Sequence, residues 1–153
     1  MKKTPKTSPK PAPKPKRKRA VLAAAPTVVA RLVEGPIPYL EAIVRERVTE
    51  ASMVRLFEYV RSEIGLHHAK RVLVDMREGS VDLTISDMLG LAKLVTTTFA
   101  GVLERFAIVV RPQDLLQEKF FEPSVSNRGL PTFVTTDPEE ATYWIAAKIR
   151  PAR

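Results

Sequence analysis

Between residues 27 and 48 the apolar positions follow the spacing of β-strands. Residues 27–34 are rich in Val and Leu and end at Gly35-Pro36-Ile37-Pro38. Residues 39–48 then alternate between apolar and charged side chains, as in a half-buried strand. The Gly/Pro break between the two segments predicts that they pair as a hairpin.

Four later segments have the spacing of amphipathic helices. The first follows Thr49, a favourable N-cap, and is predicted to stop at Gly65. The second is predicted over residues 85–103, where Thr84 and Asp87 have the spacing of a capping box. Its predicted buried stripe consists of Met88, Leu91, Ala92, Val95, Phe99 and Val102.

The last two helices lie in the C-terminal third of the chain. One is predicted around residues 114–121. The other has a strong start signal, with Asp137 as N-cap, Pro138 at the first helical position and Glu140 two positions later. Its predicted buried face consists of Ala141, Trp144, Ile145 and Ile149.

Short apolar runs separate these helices. Residues 72–76 and 106–110 have the composition of strands buried on both faces, and residues 132–135 are predicted to form the last strand. The resulting order, ββαβαβαβα, predicts a single α/β domain over residues 27–150. Its sheet is expected to be mixed, mainly parallel and about five strands wide.

Residues 1–26 differ from the rest of the chain in composition. The chain has 25 Lys and Arg against 17 Asp and Glu, a net charge of +8, and nine of the basic residues but no acidic residue lie within residues 1–19. Residues 20–153 therefore have a net charge of −1. Prolines and like charges favour an extended chain without a core, so residues 1–26 are predicted to form a disordered basic arm.

The arm suggests binding to an anionic surface. The candidate residues are Lys14, Lys16, Arg17, Lys18 and Arg19. A polycation of this kind binds nucleic acid by releasing counterions, and without aromatic residues the binding is expected to ignore base sequence. Two alternatives are a solubilising arm with no specific target and a secretory signal, although the apolar run at residues 20–25 is short for the latter.

The composition argues against most enzyme chemistry. The chain has no Cys and only two His, which are adjacent in sequence at positions 67 and 68. Disulfides, thiolate chemistry and a typical zinc site are therefore not expected. Because nucleophile-elbow, phosphate-loop and zinc-protease motifs are also missing, we predict no catalytic residue, no metal and no cofactor. The apolar runs are shorter than the roughly 20 residues that span a bilayer.

Four stretches resemble the SpoIIAA-like branch of the STAS superfamily, named after sulfate transporters and anti-sigma-factor antagonists. They are residues 71–77, 105–110, 126–131 and 133–145, which follow the family's order of Asp-bearing strand, second strand, Asn-Arg-Gly turn and terminal Trp-containing helix. The resemblance covers residues 27–149. It implies a cytoplasmic, bacterial, non-enzymatic module that binds a regulatory protein partner, with a fold related to CRAL-TRIO lipid-binding domains.

The resemblance also implies candidate regulatory residues. In anti-sigma-factor antagonists, a partner kinase phosphorylates a serine at the start of the helix after the Asp-bearing strand. The usual Asp-Ser-Ser-Gly core is absent here, and residues 85–90 approximate it. Ser86, with Ser80 and Thr84, is therefore a candidate phospho-switch, and simple capping of the helix is the alternative for Thr84.

A second group of candidates lies at the end of a predicted strand. Asp75 is expected at the carboxyl edge of the sheet, where open α/β folds bind ligands, and Arg77 follows it. These two residues and Asp87 are candidate contacts for a partner or ligand, and the alternative for Asp75 and Arg77 is a salt bridge that holds the turn.

Three functions thus stay open. The first is protein binding through residues 77–91. The second is a small-ligand or lipid carrier, which would need an apolar cavity beside the helices at 85–103 and 114–121. The third is nucleic-acid association through residues 1–19. The oligomeric state is not predicted.

Overall fold

A computed structural model describes residues 8–11 and 27–150 of the chain. Residues 8–11 are exposed and have no regular secondary structure. The elements that follow are β1 (Val28–Val33), β2 (Tyr39–Val44), β3 (Arg47–Val48), α1 (Glu50–His67), β4 (Arg71–Asp75), β5 (Ser80–Val81), α2 (Ile85–Phe99), β6 (Arg105–Val109), α3 (Leu115–Ser126), β7 (Thr132–Thr135) and α4 (Pro138–Ala146).

Five of the strands form one sheet in the order β1-β2-β4-β6-β7. Strand β1 is antiparallel to β2, and the other neighbours are parallel. Strands β3 and β5 form a separate parallel pair. The predicted α/β class and the mixed, mainly parallel sheet are confirmed.

The helices cover the two faces of the sheet unequally. Helices α1, α2 and α3 pack on one face, over alternate residues of the strands such as Val74 and Ile108. Helix α4 packs on the other face, where Ala141 and Ile145 contact the intervening strand residues. The central strands β4 and β6 are therefore buried on both sides, which explains their continuous apolar composition.

The predicted strand over residues 39–48 is in fact two strands. After Val44 the chain leaves the main sheet, and β3 pairs with β5 instead of continuing the hairpin. Ion pairs from Arg45 to Glu78 and from Arg47 to Asp82 also join this segment to the loop after β4. The alternation of apolar and charged residues therefore continues to Val48, although the pairing partner of the chain changes after Val44.

Two predicted helix ends were wrong. Helix α1 does not stop at Gly65 but continues to His67, and His68 ends it in a left-handed conformation with φ of 52°. Helix α2 ends at Phe99, before the predicted limit, and the chain turns at Gly101, where φ is 79°. Val102, predicted in the buried stripe of α2, is consequently exposed.

The last two helices also differ from their predicted limits. Helix α3 extends to Ser126, beyond the predicted end. Helix α4 begins as predicted, because Asp137 accepts a hydrogen bond from the Glu139 backbone N–H at 2.9 Å. It ends at Ala146, so Ile149 lies outside the helix and is exposed rather than buried.

Two arginine side chains hold the C-terminal end of α4 against the sheet. Arg71 of β4 is buried and donates from Nη1 to the carbonyl oxygens of Ile145 at 2.8 Å and Ala147 at 2.6 Å. Arg105 of β6 donates to the carbonyl oxygen of Trp144. These bonds satisfy carbonyl groups that a helix end leaves without intrahelical partners.

Within residues 8–11 and 27–150, no helix combines the length and the apolarity that crossing a bilayer would require.

Gly79 lies where two backbone segments come close together. A Cβ atom at this position would lie 2.4 Å from the Glu46 carbonyl oxygen and 3.3 Å from that of Val44. The same Glu46 oxygen accepts a hydrogen bond from the backbone N–H of Ser80 at 3.3 Å. The absence of a side chain at Gly79 therefore allows β5 to pair with β3.

We predict that Gly79→Ala lowers the free energy of unfolding by about 1–3 kcal/mol, because backbone atoms must move to admit the methyl group. Urea denaturation of the full chain measures this change. Gly90→Ala is the matched control: it lies in α2 with no atom near the added Cβ, so it should raise the free energy of unfolding by about 0.5–1 kcal/mol. Equal effects of the two substitutions would contradict the assignment of a steric role to Gly79.

Candidate functional site

Several functional candidates lie at the edge of the sheet where the parallel strands end. Helix α2 follows β4 and helix α3 follows β6, so both helices begin at this carboxyl edge. Strand β1 is antiparallel, and its first residue, Val28, pairs with Val44 at the end of β2. Residues 1–26 therefore join the described fold at the same edge.

The loop between β4 and α2 is held by its backbone. The Asp82 N–H donates to the Val48 carbonyl oxygen at 2.8 Å, and the Gly79 N–H donates to the Met76 carbonyl oxygen at 3.2 Å. The exposed ion pairs of this loop add little by comparison, since such pairs contribute at most about 1 kcal/mol. The β3–β5 pairing thus fixes the residues that precede α2.

Asp75 and Arg77 form a closed pair at the end of β4. Asp75 Oδ1 accepts from the Arg77 backbone N–H at 3.1 Å and from its Nε at 3.0 Å, while Oδ2 accepts from Nη2 at 2.7 Å. The hydrogen bond to Asp75 is the main cause that raises the pKa of Arg77. Both carboxylate oxygens are therefore engaged in holding the turn, and binding of a partner or ligand by Asp75 and Arg77 stays a prediction.

Thr84 and Asp87 form the predicted capping box of α2. The Thr84 hydroxyl accepts from the Asp87 backbone N–H at 3.1 Å, and the Asp87 carboxylate accepts from the Thr84 backbone N–H at 2.8 Å. The hydrogen bond from the Thr84 backbone is the main cause that lowers the pKa of Asp87. Asp87 thus bonds with Thr84, whereas Asp75 and Arg77 bond with each other.

The three candidate phosphorylation sites have different surroundings. Ser80 lies in β5 and is half-buried, and Thr84 uses its hydroxyl as the helix cap. Ser86 is exposed at the second position of α2, and no hydrogen bond of its hydroxyl is found in the described part of the chain. Ser86 is the most accessible of the three for a kinase, and its phosphorylation stays a prediction.

Exposed apolar side chains lie near Ser86 on α2 and on the neighbouring helix α3. Ile85 and Leu89 are 54% and 51% exposed and are four residues apart, so they lie on one side of α2. Leu116 and Phe120 have the same spacing near the start of α3 and are 79% and 51% exposed. Because α2 and α3 pack side by side, we call these four residues the α2–α3 apolar surface.

The sequence analysis missed this surface, although a signal was available. Ile85 lies three residues before Met88, and Leu89 lies three residues before Ala92, so both lie at the margin of the buried stripe and widen the apolar side of α2 beyond it. An apolar side that is wider than the buried stripe leaves apolar residues exposed, and these indicate an interaction surface when several lie together.

A buried carboxyl group, also missed, lies behind this surface. Glu118 of α3 is 3% exposed, and its Oε1 has no hydrogen-bond partner in the described residues. Burial is the main cause that raises the pKa of Glu118 to about 7. The charge of the nearby Asp114 is the second cause. Its position three residues before Phe121 and seven before Val125 places it on the buried side of α3 and could have been noticed in the sequence.

Glu118 lines an apolar cavity between the sheet and helices α1, α2 and α3. The cavity has a volume of about 10 Å³, enough for about one water molecule. Three methionine side chains lie in its wall, with phenylalanines from α1, β6 and α3. The lining residues are Met53, Leu56, Phe57, Val74, Met76, Leu83, Met88, Leu91, Phe106, Ile108, Glu118 and Phe121.

The basic residues of the arm and the histidines are the remaining candidates. Lys14, Lys16, Arg17, Lys18 and Arg19 lie outside the described residues, so binding of an anionic surface by the arm stays a prediction. Among residues 8–11 and 27–150, no group of three acidic or histidine side chains could together hold a metal ion. His67 instead lies 3.4 Å from the Glu63 carboxylate on α1.

Comparison with solved structures identifies the fold. The chain is similar to an uncharacterised protein of the DUF3478 family with a SpoIIAA-like fold from Shewanella loihica PV-4, with a TM-score of 0.53 and 16% sequence identity. The alignment covers 77% of this chain and 93% of that protein. No family profile and no curated protein matches the sequence. At this identity the similarity shows a shared SpoIIAA-like fold.

We predict that Glu118 makes the stability of the protein depend on pH. Its pKa is higher in the folded state than the usual 4.5, so its contribution is complete below about pH 4.5 and is lost as the pH rises through about 7. The free energy of unfolding should therefore fall over this interval by on the order of 3 kcal/mol through Glu118 alone.

Urea denaturation at a series of pH values measures this decline. Glu118→Gln should remove most of it, because the amide does not titrate. Glu58→Gln, an exposed substitution on α1, should leave it unchanged and serves as the control. The same pH dependence in both variants would show that Glu118 is not its source.

Proposed function

Given its SpoIIAA-like fold, we propose that the chain is a non-enzymatic, cytoplasmic regulatory module that binds a protein partner through residues 77–91. The observation that carries this proposal is the exposure of Ile85 and Leu89 on either side of Ser86. Apolar side chains surrounded by polar ones are typical of the centre of a protein interface. The rim here consists of Arg77, Glu78 and Asp82, which are exposed.

The rigidity of this surface supports the same proposal. The backbone bonds of the β4–α2 loop and the capping box fix the first turn of α2 before any partner arrives. A surface that is already ordered loses little conformational entropy on binding, so more of its contact energy contributes to affinity.

Phosphorylation of Ser86 would act directly on this surface. A phosphate at the second helical position is favoured by the N-terminal end of the helix dipole, while the neighbouring Asp87 opposes it. The added charge would lie in the same helical turn as the two exposed apolar side chains and beside them. We therefore propose that phosphorylation releases the partner.

The basic arm is proposed to assist this binding. Because residues 1–26 join the fold at the carboxyl edge, their positive charge is attached next to residues 77–91. Such charge speeds the association of an acidic partner and makes the association rate depend on salt. In the absence of a protein partner, the same charges would support salt-sensitive binding to nucleic acid.

We predict that Leu89→Asp and Ser86→Asp each weaken partner binding at least tenfold, because both place a charge within the apolar contact. Partners are first captured from nuclease-treated lysate on the full chain, identified by mass spectrometry and then titrated by calorimetry. Leu66→Asp is the matched control, since Leu66 is 71% exposed but lies in the last turn of α1, at the opposite edge of the sheet.

Two outcomes separate the parts of this proposal. Unchanged binding by both Ser86→Asp and Ser86→Ala would exclude the phospho-switch and leave the surface itself intact. Unchanged binding by Leu89→Asp, or equal weakening by Leu66→Asp, would exclude residues 77–91 as the binding surface.

A second candidate function is that of a small-ligand carrier, and the observation that favours it is the unpaired Oε1 of Glu118 in an apolar cavity. As described, the cavity is too small for an organic ligand. Its methionines, Met53, Met76 and Met88, have flexible side chains that can change rotamer and enlarge it. The ligand would be an apolar molecule with one hydroxyl or amino group to pair with Glu118.

We predict for this candidate that native mass spectrometry of the full chain purified from cells shows a bound mass. Glu118→Leu should lose that mass and remain folded, because the substitution replaces a buried carboxyl group with an apolar side chain. Repeated ligand-free spectra of the unmodified chain would exclude the carrier.

A further inference from the structure

The two edges of the main sheet differ in how their backbone groups are satisfied. At the β7 edge, side chains of α3 accept hydrogen bonds from backbone N–H groups of β7 that do not bond to a neighbouring strand. The Val134 N–H donates to Glu122 Oε2 at 2.7 Å, and the Thr132 N–H donates to Ser126 Oγ at 3.1 Å. This edge is therefore closed to a further strand.

The opposite edge, strand β1, has no such protection within the described residues. The Arg45 N–H donates to the Thr27 carbonyl oxygen at 2.7 Å, which fixes the alternation of bonds between β1 and β2. By that alternation Val29, Arg31 and Val33 bond to β2, whereas the backbone groups of Val28, Ala30 and Leu32 face outward. In residues 8–11 and 27–150, no hydrogen bond reaches these outward groups.

We infer that β1 is a self-association surface, which pairs antiparallel with β1 of a second copy of this chain around a two-fold axis at Ala30. In this register Val28 faces Leu32 of the second copy, and Ala30 faces its own equivalent. All outward N–H and C=O groups of both strands then form hydrogen bonds. The two main sheets become one continuous sheet with twice the five strands of a single copy.

The position of Arg31 selects this register over the alternative centred one residue later. A two-fold axis at Arg31 would place the two guanidinium groups directly opposite each other, which is unfavourable. With the axis at Ala30, Arg31 faces Val29 of the second copy and keeps its ion pair with Glu41, which measures 2.7 Å. The apolar residues of β1 are all half-buried in the single chain and would become more buried.

This association differs from the partner binding proposed above in place and in consequence. The two-fold axis turns the carboxyl edges of the two copies in opposite directions. Each copy then presents residues 77–91 and its basic arm at a separate end of the assembly, so that one assembly can hold two partners without contact between them.

Cross-linking of single-cysteine variants of the full chain tests the register. The chain has no natural Cys, so any disulfide reports the introduced position alone. In Ala30→Cys the two equivalent Cα atoms would be about 5.5 Å apart, which suits a disulfide. In the control Val29→Cys they would be about 8 Å apart, beyond the reach of one.

We expect Ala30→Cys to form covalent dimers at least tenfold faster than Val29→Cys under mild oxidation. We also expect sedimentation of the full chain to show dimers, at low salt and in about 1 M NaCl, because backbone hydrogen bonds are not screened as charges are. Ala30→Pro removes only an outward N–H and should raise the dimer dissociation constant at least tenfold while circular dichroism stays unchanged.

Three results would overturn the inference. One is a full chain that remains monomeric at about 200 μM, because the proposed dimer should be populated at that concentration. Another is equal cross-linking of the two cysteine variants, which indicates random collision. The third is a dimer that Ala30→Pro does not weaken, which indicates that another surface, or the arm, holds the copies together.

Discussion

The close approach of the Gly79 and Glu46 backbones is the constraint on which the candidate site depends. It brings β5 alongside β3 and thereby fixes the path of the chain between β4 and α2. Helix α2 starts shortly after this pair of strands, so the pairing also sets the position of its capping box and of the exposed Ile85. The site is therefore positioned by the second, small sheet formed by β3 and β5.

The buried side of the same region has a different character. Helices α2 and α3 present apolar residues both outward, at the α2–α3 apolar surface, and inward, at the cavity. The inward side includes the carboxyl group of Glu118, which destabilises the fold when ionised. The two proposed functions thus use the exposed and the buried residues of the same two helices, and a change in the packing of α3 would affect both.

Much of the architecture could be predicted from local signals. The strands β4 and β6 are apolar throughout, and Thr49, Thr84 and Asp137 are caps whose chemistry acts within a few residues. These signals do not depend on the rest of the fold. The parallel sheet then follows from the alternation of strands and helices.

The features that could not be predicted depend on contacts distant in sequence. The split of the second predicted strand requires residues 47–48 to meet residues 80–81, and no local pattern encodes that meeting. The left-handed cap at His68 was not predicted, because Gly65 is the more usual type of residue at a helix end. For the site, sequence located residues 75–87 but not the apolar residues around them, because only the buried stripe was sought.

The clamp of Arg71 on the carbonyl oxygens of Ile145 and Ala147 has a consequence for biosynthesis. Arg71 is 4% exposed, and its buried guanidinium has these partners only after residues 145–147 have been synthesised. A nascent chain that has produced β6 but not α4 can pair this guanidinium only with Glu104, which lies 3.3 Å from Arg71 Nε in the folded chain. The clamp, and with it the cover of the second face of the sheet, is therefore completed only after α4 has been translated.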